Sequence, residues 1–158
     1  MIYKAIFTQE GTSDYFENDE LLFTAKTKVH FLNLSSITYL YDNNDISIFA
    51  FSEFAFTALF WKLKILNQKL EKKVLIKKKK LEYVLIVDTQ VLSLKFTKNP
   101  FSYLIANMYL DEKLIGEIRK EYKNSCTIFN FNFSHEFGME YYFLILFSMS
   151  STGITGDD

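Results

Sequence analysis

The chain has 158 residues, of which 49% are hydrophobic, 18% aromatic and 23% charged, and its formal net charge at pH 7 is −1. This apolar fraction excludes a disordered chain, and the length predicts a single domain over residues 1–158 with a sizeable core. One cysteine and two histidines exclude a disulfide framework and a cysteine-rich or histidine-rich metal centre, so no cofactor is predicted.

Most of the chain alternates between apolar and polar residues with a period of two, which is typical of strands with one buried and one wet face. Strands are predicted near residues 2–7, 21–29, 36–41, 45–51, 55–66, 72–79, 81–88, 90–97, 101–109, 113–122 and 126–133. Residues 8–20 are polar and acidic and are predicted to form a loop. Turn sequences separate several strands, namely Asp42-Asn43-Asn44-Asp45, Asp88-Thr89, Lys98-Asn99-Pro100 and Asp111-Glu112.

The alternation also divides the side chains of single strands into a buried and a wet group. The clearest divisions are Ile37, Tyr39 and Tyr41 against Thr38 and Leu40; Leu59, Trp61, Leu63 and Ile65 against Lys62 and Lys64; Leu92, Leu94 and Phe96 against Ser93 and Lys95; and Thr127, Phe129, Phe131 and Phe133 against Asn130 and Asn132. Short, evenly spaced strands predict a mainly β fold, an antiparallel closed barrel of about eleven or twelve strands, because closure removes exposed edges. A β-sandwich is the alternative.

The segment after the last predicted strand, Met139–Met149, is apolar on every side and therefore belongs inside protein or membrane. We predict a C-terminal hydrophobic helix over residues 139–152, capped by Ser134, ended by Gly153 and surrounded by the barrel. A final buried strand is the alternative, because periodicity does not separate the two structures in a short apolar run. A further alternative makes residues 137–155 a marginal tail anchor, although a membrane span needs roughly 18 apolar residues.

Two segments resemble the tubby C-terminal-like superfamily, which includes the plant LURP-one-related proteins and the phospholipid scramblases. Residues 109–120, YLDEKLIGEIRK, look like that superfamily's late hairpin, in which a short polar turn precedes a strand carrying Gly-Glu-Ile. Tyr141–Met149 looks like its terminal helix, whereas Asp42–Asp45 stands where a glycine turn is usual. The resemblance implies a barrel of about twelve strands around a C-terminal helix, and a non-enzymatic protein that binds membrane lipid or a partner.

Lysine is concentrated in one segment of the chain. Nine lysines lie between residues 62 and 80 with Glu71 as the only acid, which gives this segment a charge of +8. We predict a lysine-rich hairpin that binds an anionic ligand, with anionic membrane lipid as the leading candidate. The alternative is that these lysines only keep an exposed strand edge from aggregating. The predicted site residues are Lys62, Lys64, Lys72, Lys73, Lys77, Lys78, Lys79 and Lys80.

Nucleic acid and other proteins are the remaining classes of partner. Sequence-specific binding of nucleic acid is not expected, because Arg119 is the only arginine. A second functional hypothesis is a protein–protein interaction module, of the toxin-neutralising or subunit-tethering kind, that uses the acidic loop 8–20 or an exposed strand edge. The N-terminus lacks the apolar core of a signal peptide, so a cytoplasmic protein is expected, peripheral at the membrane if lipid is its ligand.

No constellation of residues predicts an enzyme. Cys126 begins a predicted strand with no adjacent histidine or acid, which favours a buried structural thiol over a nucleophile. His135 and Glu136 are neighbours only in sequence, and His30 ends a predicted strand. A non-enzymatic binding or scaffold protein is therefore the prediction.

Overall fold

The fold is described from a computed structural model that defines residues 1–8, 11–30, 35–57, 60–79, 82–99, 102–123 and 125–150. Within these residues the chain forms a succession of β-strands and then one α-helix. In chain order they are β1 (Tyr3–Phe7), β2 (Thr12–Glu17), β3 (Glu20–His30), β4 (Ser35–Tyr41), β5 (Ser47–Thr57), β6 (Phe60–Gln68), β7 (Val74–Lys79), β8 (Glu82–Val87), β9 (Gln90–Phe96), β10 (Leu104–Leu110), β11 (Lys113–Lys123), β12 (Cys126–Phe133) and α1 (Glu140–Ser150).

The strands form one antiparallel sheet of 12 strands, in the order β6-β5-β4-β3-β2-β1-β12-β11-β10-β9-β8-β7. Strands β1 and β12 join the two halves of the chain, with Tyr3 opposite Phe131 and Phe7 opposite Thr127. The two ends of the sheet, β6 and β7, are consecutive in the chain, so the sheet must curl until they approach each other. The result is a nearly closed barrel, which confirms the predicted fold class.

Helix α1 fills the barrel, as the all-round apolar segment predicts. The side chains of Phe143, Ile145 and Phe147 are completely buried, and of the helix residues only Tyr141 is half-exposed. The alternative of a final buried strand is wrong. No helix in the described ranges is long and apolar enough to cross a bilayer.

The hydrogen bonds of α1 show how a helix is held in an apolar interior. At its first turn the Glu140 carboxylate accepts a hydrogen bond from the backbone N–H of Phe137, at 2.7 Å. Near its end the buried hydroxyls of Ser148 and Ser150 donate to the carbonyls of Ile145 and Phe147. The serines therefore bring no unpaired hydroxyl into the core.

The predicted helix cap is wrong. Helix α1 begins at Glu140, too far along the chain from Ser134, whose hydroxyl instead hydrogen-bonds His135 Nδ1 at 2.9 Å. The predicted terminator, Gly153, lies outside the described residues. The chain turns into the helix at Gly138, which has a positive φ of 75° that suits glycine.

The predicted acidic loop over residues 8–20 contains a strand, β2, and this prediction is wrong for Thr12–Glu17. The inward positions of β2 are Ser13 and Tyr15, so a single large apolar residue marks the buried face. Tyr15 is fully buried, and its ring stacks on Phe23 of β3 with centroids 4.4 Å apart. Asp14 and Glu17 made the segment look like a loop, although their backbone lies in the sheet.

The prediction also placed the break between β5 and β6 too early. The sequence suggested separate strands at 45–51 and 55–66, whereas β5 continues to Thr57. The strand keeps a continuous register with β4 from Phe49 to Phe54, and the register shift toward β6 leaves the extra residue, Leu66, in β6. The apolar pattern is interrupted instead by Ser52 and Glu53, two polar residues in the middle of a continuous strand. In β4 the predicted division is reversed: Thr38 and Leu40 are buried, whereas Ile37, Tyr39 and Tyr41 are only half-buried.

Candidate anion-binding surface

A seam between β6 and β7 interrupts the barrel. Both strands are edges of the sheet, and no strand pairing joins them in the described part of the chain. At one end the Gln68 side chain spans the seam: its Oε1 accepts from the backbone N–H of Val74 at 2.9 Å, and its Nε2 donates to the carbonyl of Val74 at 3.5 Å. A single amide side chain thus takes the place of a backbone pair at this end of the seam. The lysines of β7 lie in a hairpin with β8, whereas those of β6 lie on the facing edge.

Most of the predicted lysines lie along these two edges. Lys62 and Lys64 are exposed on β6, and they alternate with Leu63 and Ile65, which are half-buried against the core. Lys77 is exposed on β7. The backbone of β7 also includes Lys78 and Lys79, whereas Lys80 lies outside the described residues.

Two of the predicted lysines lie elsewhere. Lys72 and Lys73 belong to the connection between β6 and β7, where Lys72 Nζ is 3.8 Å from a carboxylate oxygen of Asp88. The backbone N–H of Lys72 also donates a hydrogen bond to the Tyr142 hydroxyl, at 3.2 Å, which attaches this connection to the first turn of α1. These two lysines are therefore separated from the others along the barrel axis.

The separation of Lys72 and Lys73 from the other lysines follows from the order and direction of the strands. Neighbouring strands are antiparallel, so successive connections lie at alternate ends of the barrel. One end, here named the acidic pole, holds the connections after β2, β4, β6, β8 and β10 and the segment between β12 and α1. The acids of this pole are Asp19, Asp42, Asp45, Glu71, Asp88, Asp111, Glu112 and Glu136.

Turn geometry accounts for many of these acids. Asp45, Asp88 and Asp111 have positive φ angles of 57°, 53° and 46°, a conformation that short polar side chains tolerate better than most others. Asp42 accepts hydrogen bonds from the backbone N–H groups of Asn44 and Ile46, both at 2.9 Å. The acidic pole is thus a consequence of how these hairpins turn.

The opposite end, here named the basic pole, carries mainly lysine. Among its few described acids, Glu82 lies 4.0 Å from Lys95, Glu121 accepts a hydrogen bond from Asn130, and Glu53 is half-buried. Large apolar side chains are exposed beside the lysines: Val29, Phe54, Tyr103 and Tyr122. The lysines at or near the strand ends of this pole are Lys28, Lys62, Lys77, Lys98, Lys120 and Lys123.

The sequence did not identify a polar pair inside the barrel, Glu53 of β5 and Tyr83 of β8. Glu53 is opposite Leu63 and Tyr83 is opposite Leu94, so both share the inward face of their neighbours. Burial raises the pKa of Tyr83 to about 12, and the Glu53 carboxylate adds to this rise. Only the three-dimensional approach of the two ends of the sheet brings β5 near β8.

The raised pKa values predict an alkaline loss of stability. Burial also raises the pKa of Tyr141 to about 12, with smaller contributions from Tyr142 and Asp42. Below pH 10 both the folded and the unfolded protein keep these protons, whereas between about pH 10 and 12 only the folded protein does. The melting temperature is therefore expected to fall through this range. Tyrosinate absorbance of native and urea-unfolded protein provides the check, and coincident titration curves contradict the assignment.

The remaining candidate groups, His135 and Glu136, lie at the acidic pole. A cavity of about 380 Å³ at the acidic pole is lined by Tyr3, Ser134, His135, Glu136 and other residues. His135 hydrogen-bonds Ser134, while Glu136 lies 3.6 Å from the N-terminal amine, so His135 and Glu136 have different partners. Among the residues that the structure describes, no group of histidine, cysteine and acidic side chains is suited to a metal ion.

Three acids of the predicted loop, Asp14, Glu17 and Asp19, make local contacts with neighbouring strands and turns. Glu17 accepts a hydrogen bond from the Tyr3 hydroxyl at 2.6 Å, and Asp19 pairs with Lys4. Burial and the contact with Glu17 both raise the pKa of Tyr3. Asp14 accepts a hydrogen bond from Thr24 of the neighbouring strand, at 2.6 Å. These contacts hold β1, β2 and β3 together.

Comparison with known proteins gives no family: no family model, no curated protein and no solved structure matches the chain. The resemblance to the tubby C-terminal-like superfamily therefore stays a prediction, as does the absence of enzymatic activity. The charge distribution of the barrel is the feature that bears most directly on its function.

Proposed function

We propose that the protein is a non-enzymatic binding protein whose basic pole associates with an anionic phospholipid surface. The observation that supports this is the unequal distribution of charge along the barrel axis, with an excess of acids at one end and an excess of lysines at the other. Each lysine near an anionic membrane contributes about 1 kcal/mol to binding, so several lysines on one end give a measurable, salt-sensitive affinity.

The exposed apolar side chains of the basic pole add to this proposal. Tyr103 and Tyr122 project into solvent beside lysines, and tyrosine favours the boundary between lipid and water. The acidic pole would be repelled by the same membrane, so the two ends together favour one orientation of the barrel axis. The resemblance to the tubby C-terminal-like superfamily agrees with such a function, but the proposal depends on the charges and the exposed apolar side chains of the barrel.

A vesicle-sedimentation experiment tests the proposal with two variants of equal charge. The first reverses three exposed lysines of the basic pole, Lys28→Glu, Lys98→Glu and Lys123→Glu. We expect it to bind vesicles containing phosphatidylserine at least about 100-fold more weakly than the natural protein does, because about three favourable charge contacts are lost. Wild-type binding is expected to weaken as salt is raised.

The matched control reverses three exposed lysines of the acidic pole, Lys69→Glu, Lys73→Glu and Lys113→Glu. This variant has the same net charge and is expected to keep most of the binding. Equal weakening of both variants would mean that net charge alone governs association. Equal binding of the wild-type protein to neutral and anionic vesicles would refute the electrostatic proposal.

A further inference from the structure

We propose that the seam between β6 and β7 accepts an extended peptide segment whose residues are alternately apolar and acidic, as an added β-strand. This goes beyond membrane association and concerns the wall of the barrel rather than its pole. Two strand edges face the same opening, and beyond Val74 the described backbone of each edge has no strand pairing on that side. An added strand would pair with these groups, as in other forms of strand addition.

The contact between Gln68 and Val74 shows which part of the seam is open to an added strand. Its side chain already satisfies Val74 at the acidic pole, so the seam is closed there. Toward the basic pole the described backbone of β6 and β7 continues without any pairing between the two strands. The available stretch thus begins beside Leu66 and Ile76 and extends toward Lys62 and Lys79.

The side chains along the seam determine the sequence pattern of the occupant. Leu63, Ile65 and Ile76 are half-buried and pack against the core, whereas Lys62 and Lys77 are exposed. Side chains of neighbouring strands share faces, so an added strand would place alternate residues against these apolar groups and the others among the lysines. Apolar residues fit the first positions and carboxylates the second.

The same lysines argue against other occupants. A second copy of the chain would bring its own lysine-bearing edges, Lys62 and Lys64 or Lys77, against those of the first, and like charges directly opposite are unfavourable. A basic peptide meets the same repulsion. The lysines thus favour an acidic strand and disfavour pairing with a second copy of the chain. One set of residues can therefore both bind a ligand and keep the edges from aggregating.

The test uses the full-length protein and a fluorescently labelled synthetic peptide that alternates valine and glutamate. We expect binding by anisotropy and, in hydrogen exchange, slower exchange of amides in β6 and β7 only. A peptide of the same sequence with N-methylated alternate amides keeps the charge and loses the backbone donors, and we expect it to bind about tenfold more weakly. A peptide with lysine in place of glutamate is expected not to bind.

Protein variants separate the seam from the basic pole. Lys62→Glu with Lys64→Glu is expected to weaken peptide binding about tenfold, whereas Lys28→Glu with Lys123→Glu, two reversals away from the seam, is expected to leave it unchanged. Equal binding of the N-methylated peptide, or slow exchange of the seam-facing amides of β6 and β7 in the free protein, overturns the proposal; the other amides of these strands pair with β5 and β8 and exchange slowly in either case. Lys62 also lies near the basic pole, so the separation depends on two other measurements: Lys28→Glu with Lys123→Glu changes vesicle binding without touching the seam, and the N-methylated peptide tests strand addition without changing the protein. Either proposal can therefore fail without the other.

Discussion

Replacement of Phe147 by alanine is expected to lower the free energy of unfolding by about 3–5 kcal/mol, a large part of the stability of an ordinary domain. The Phe147 ring is completely buried in the centre of α1. Its centroid lies 5.0 Å from that of Phe129, 5.2 Å from that of Phe131 and 6.2 Å from that of Phe7. These rings belong to β12 and β1, so the substitution leaves a cavity where the two halves of the sheet meet.

Thermal and urea unfolding, followed by circular dichroism, measure this effect. A decrease of more than about 10 °C in the melting temperature is expected for a chain of this length. Tyr103→Ala is the matched control, because it removes an aromatic ring that is 69% exposed and is expected to change stability by about 0.5 kcal/mol at most. A similar small effect of Phe147→Ala would mean that the barrel does not depend on its central helix.

The sequence predicts this architecture well because two signals are local. Strands such as β12 alternate strictly, and their apolar residues, Phe129 and Phe131, are buried as the period of two requires. The apolar segment of α1 has no polar face that could lie against water, so a position inside the barrel was expected for it. Prediction failed where the buried face has a single large apolar residue, as in β2, or where polar residues stand in the middle of a continuous strand, as Ser52 and Glu53 do in β5.

The candidate site could be predicted only in part, because charge along a chain does not give position in space. The sequence shows that lysines are concentrated between residues 62 and 80, and the structure places Lys62 and Lys77 on two edges of one seam. It could not show that Lys73 lies at the opposite end, since this depends on strand direction. Lys28 and Lys123, distant in sequence, reach the basic pole for the same reason.

Helix α1 and the two poles have a common orientation. The helix begins near the acidic pole, where the Tyr142 hydroxyl contacts Lys72, and runs toward the basic pole, since Phe147 contacts Phe7 at the far end of β1. Its N-terminal end, which carries partial positive charge, therefore lies among acids, and Glu140 is in its first turn. The C-terminal end, which carries partial negative charge, lies toward the lysines. The enclosed helix thus complements the charge separation that the turns and strand ends produce on the surface.

Replacement of Gly116 by alanine is expected to destabilise the protein by about 3 kcal/mol, through the backbone rather than through a cavity. A Cβ atom at this position would lie 2.3 Å from the carbonyl oxygen of Asn132, 2.9 Å from Met108 Cε and 3.0 Å from Phe133 Cα. The methionine tip can move, but the two backbone atoms belong to β12, which pairs with β11 at this point through Gly116 and Phe133. Relief of the clash therefore requires the two strands to separate.

A melting temperature about 10 °C below that of the natural protein is the expected measurement for Gly116→Ala. Lys113→Ala, at an exposed position of the same strand, is the control and is expected to be nearly neutral. Hydrogen exchange adds a local readout: amides of β11 and β12 should exchange faster in the glycine variant, while those of β4 and β5, on another part of the sheet, should change less. Uniform loss of protection across the sheet would contradict a local strand separation. The Gly-Glu-Ile sequence would then matter for the cooperativity of the whole barrel instead of for one close contact between strands.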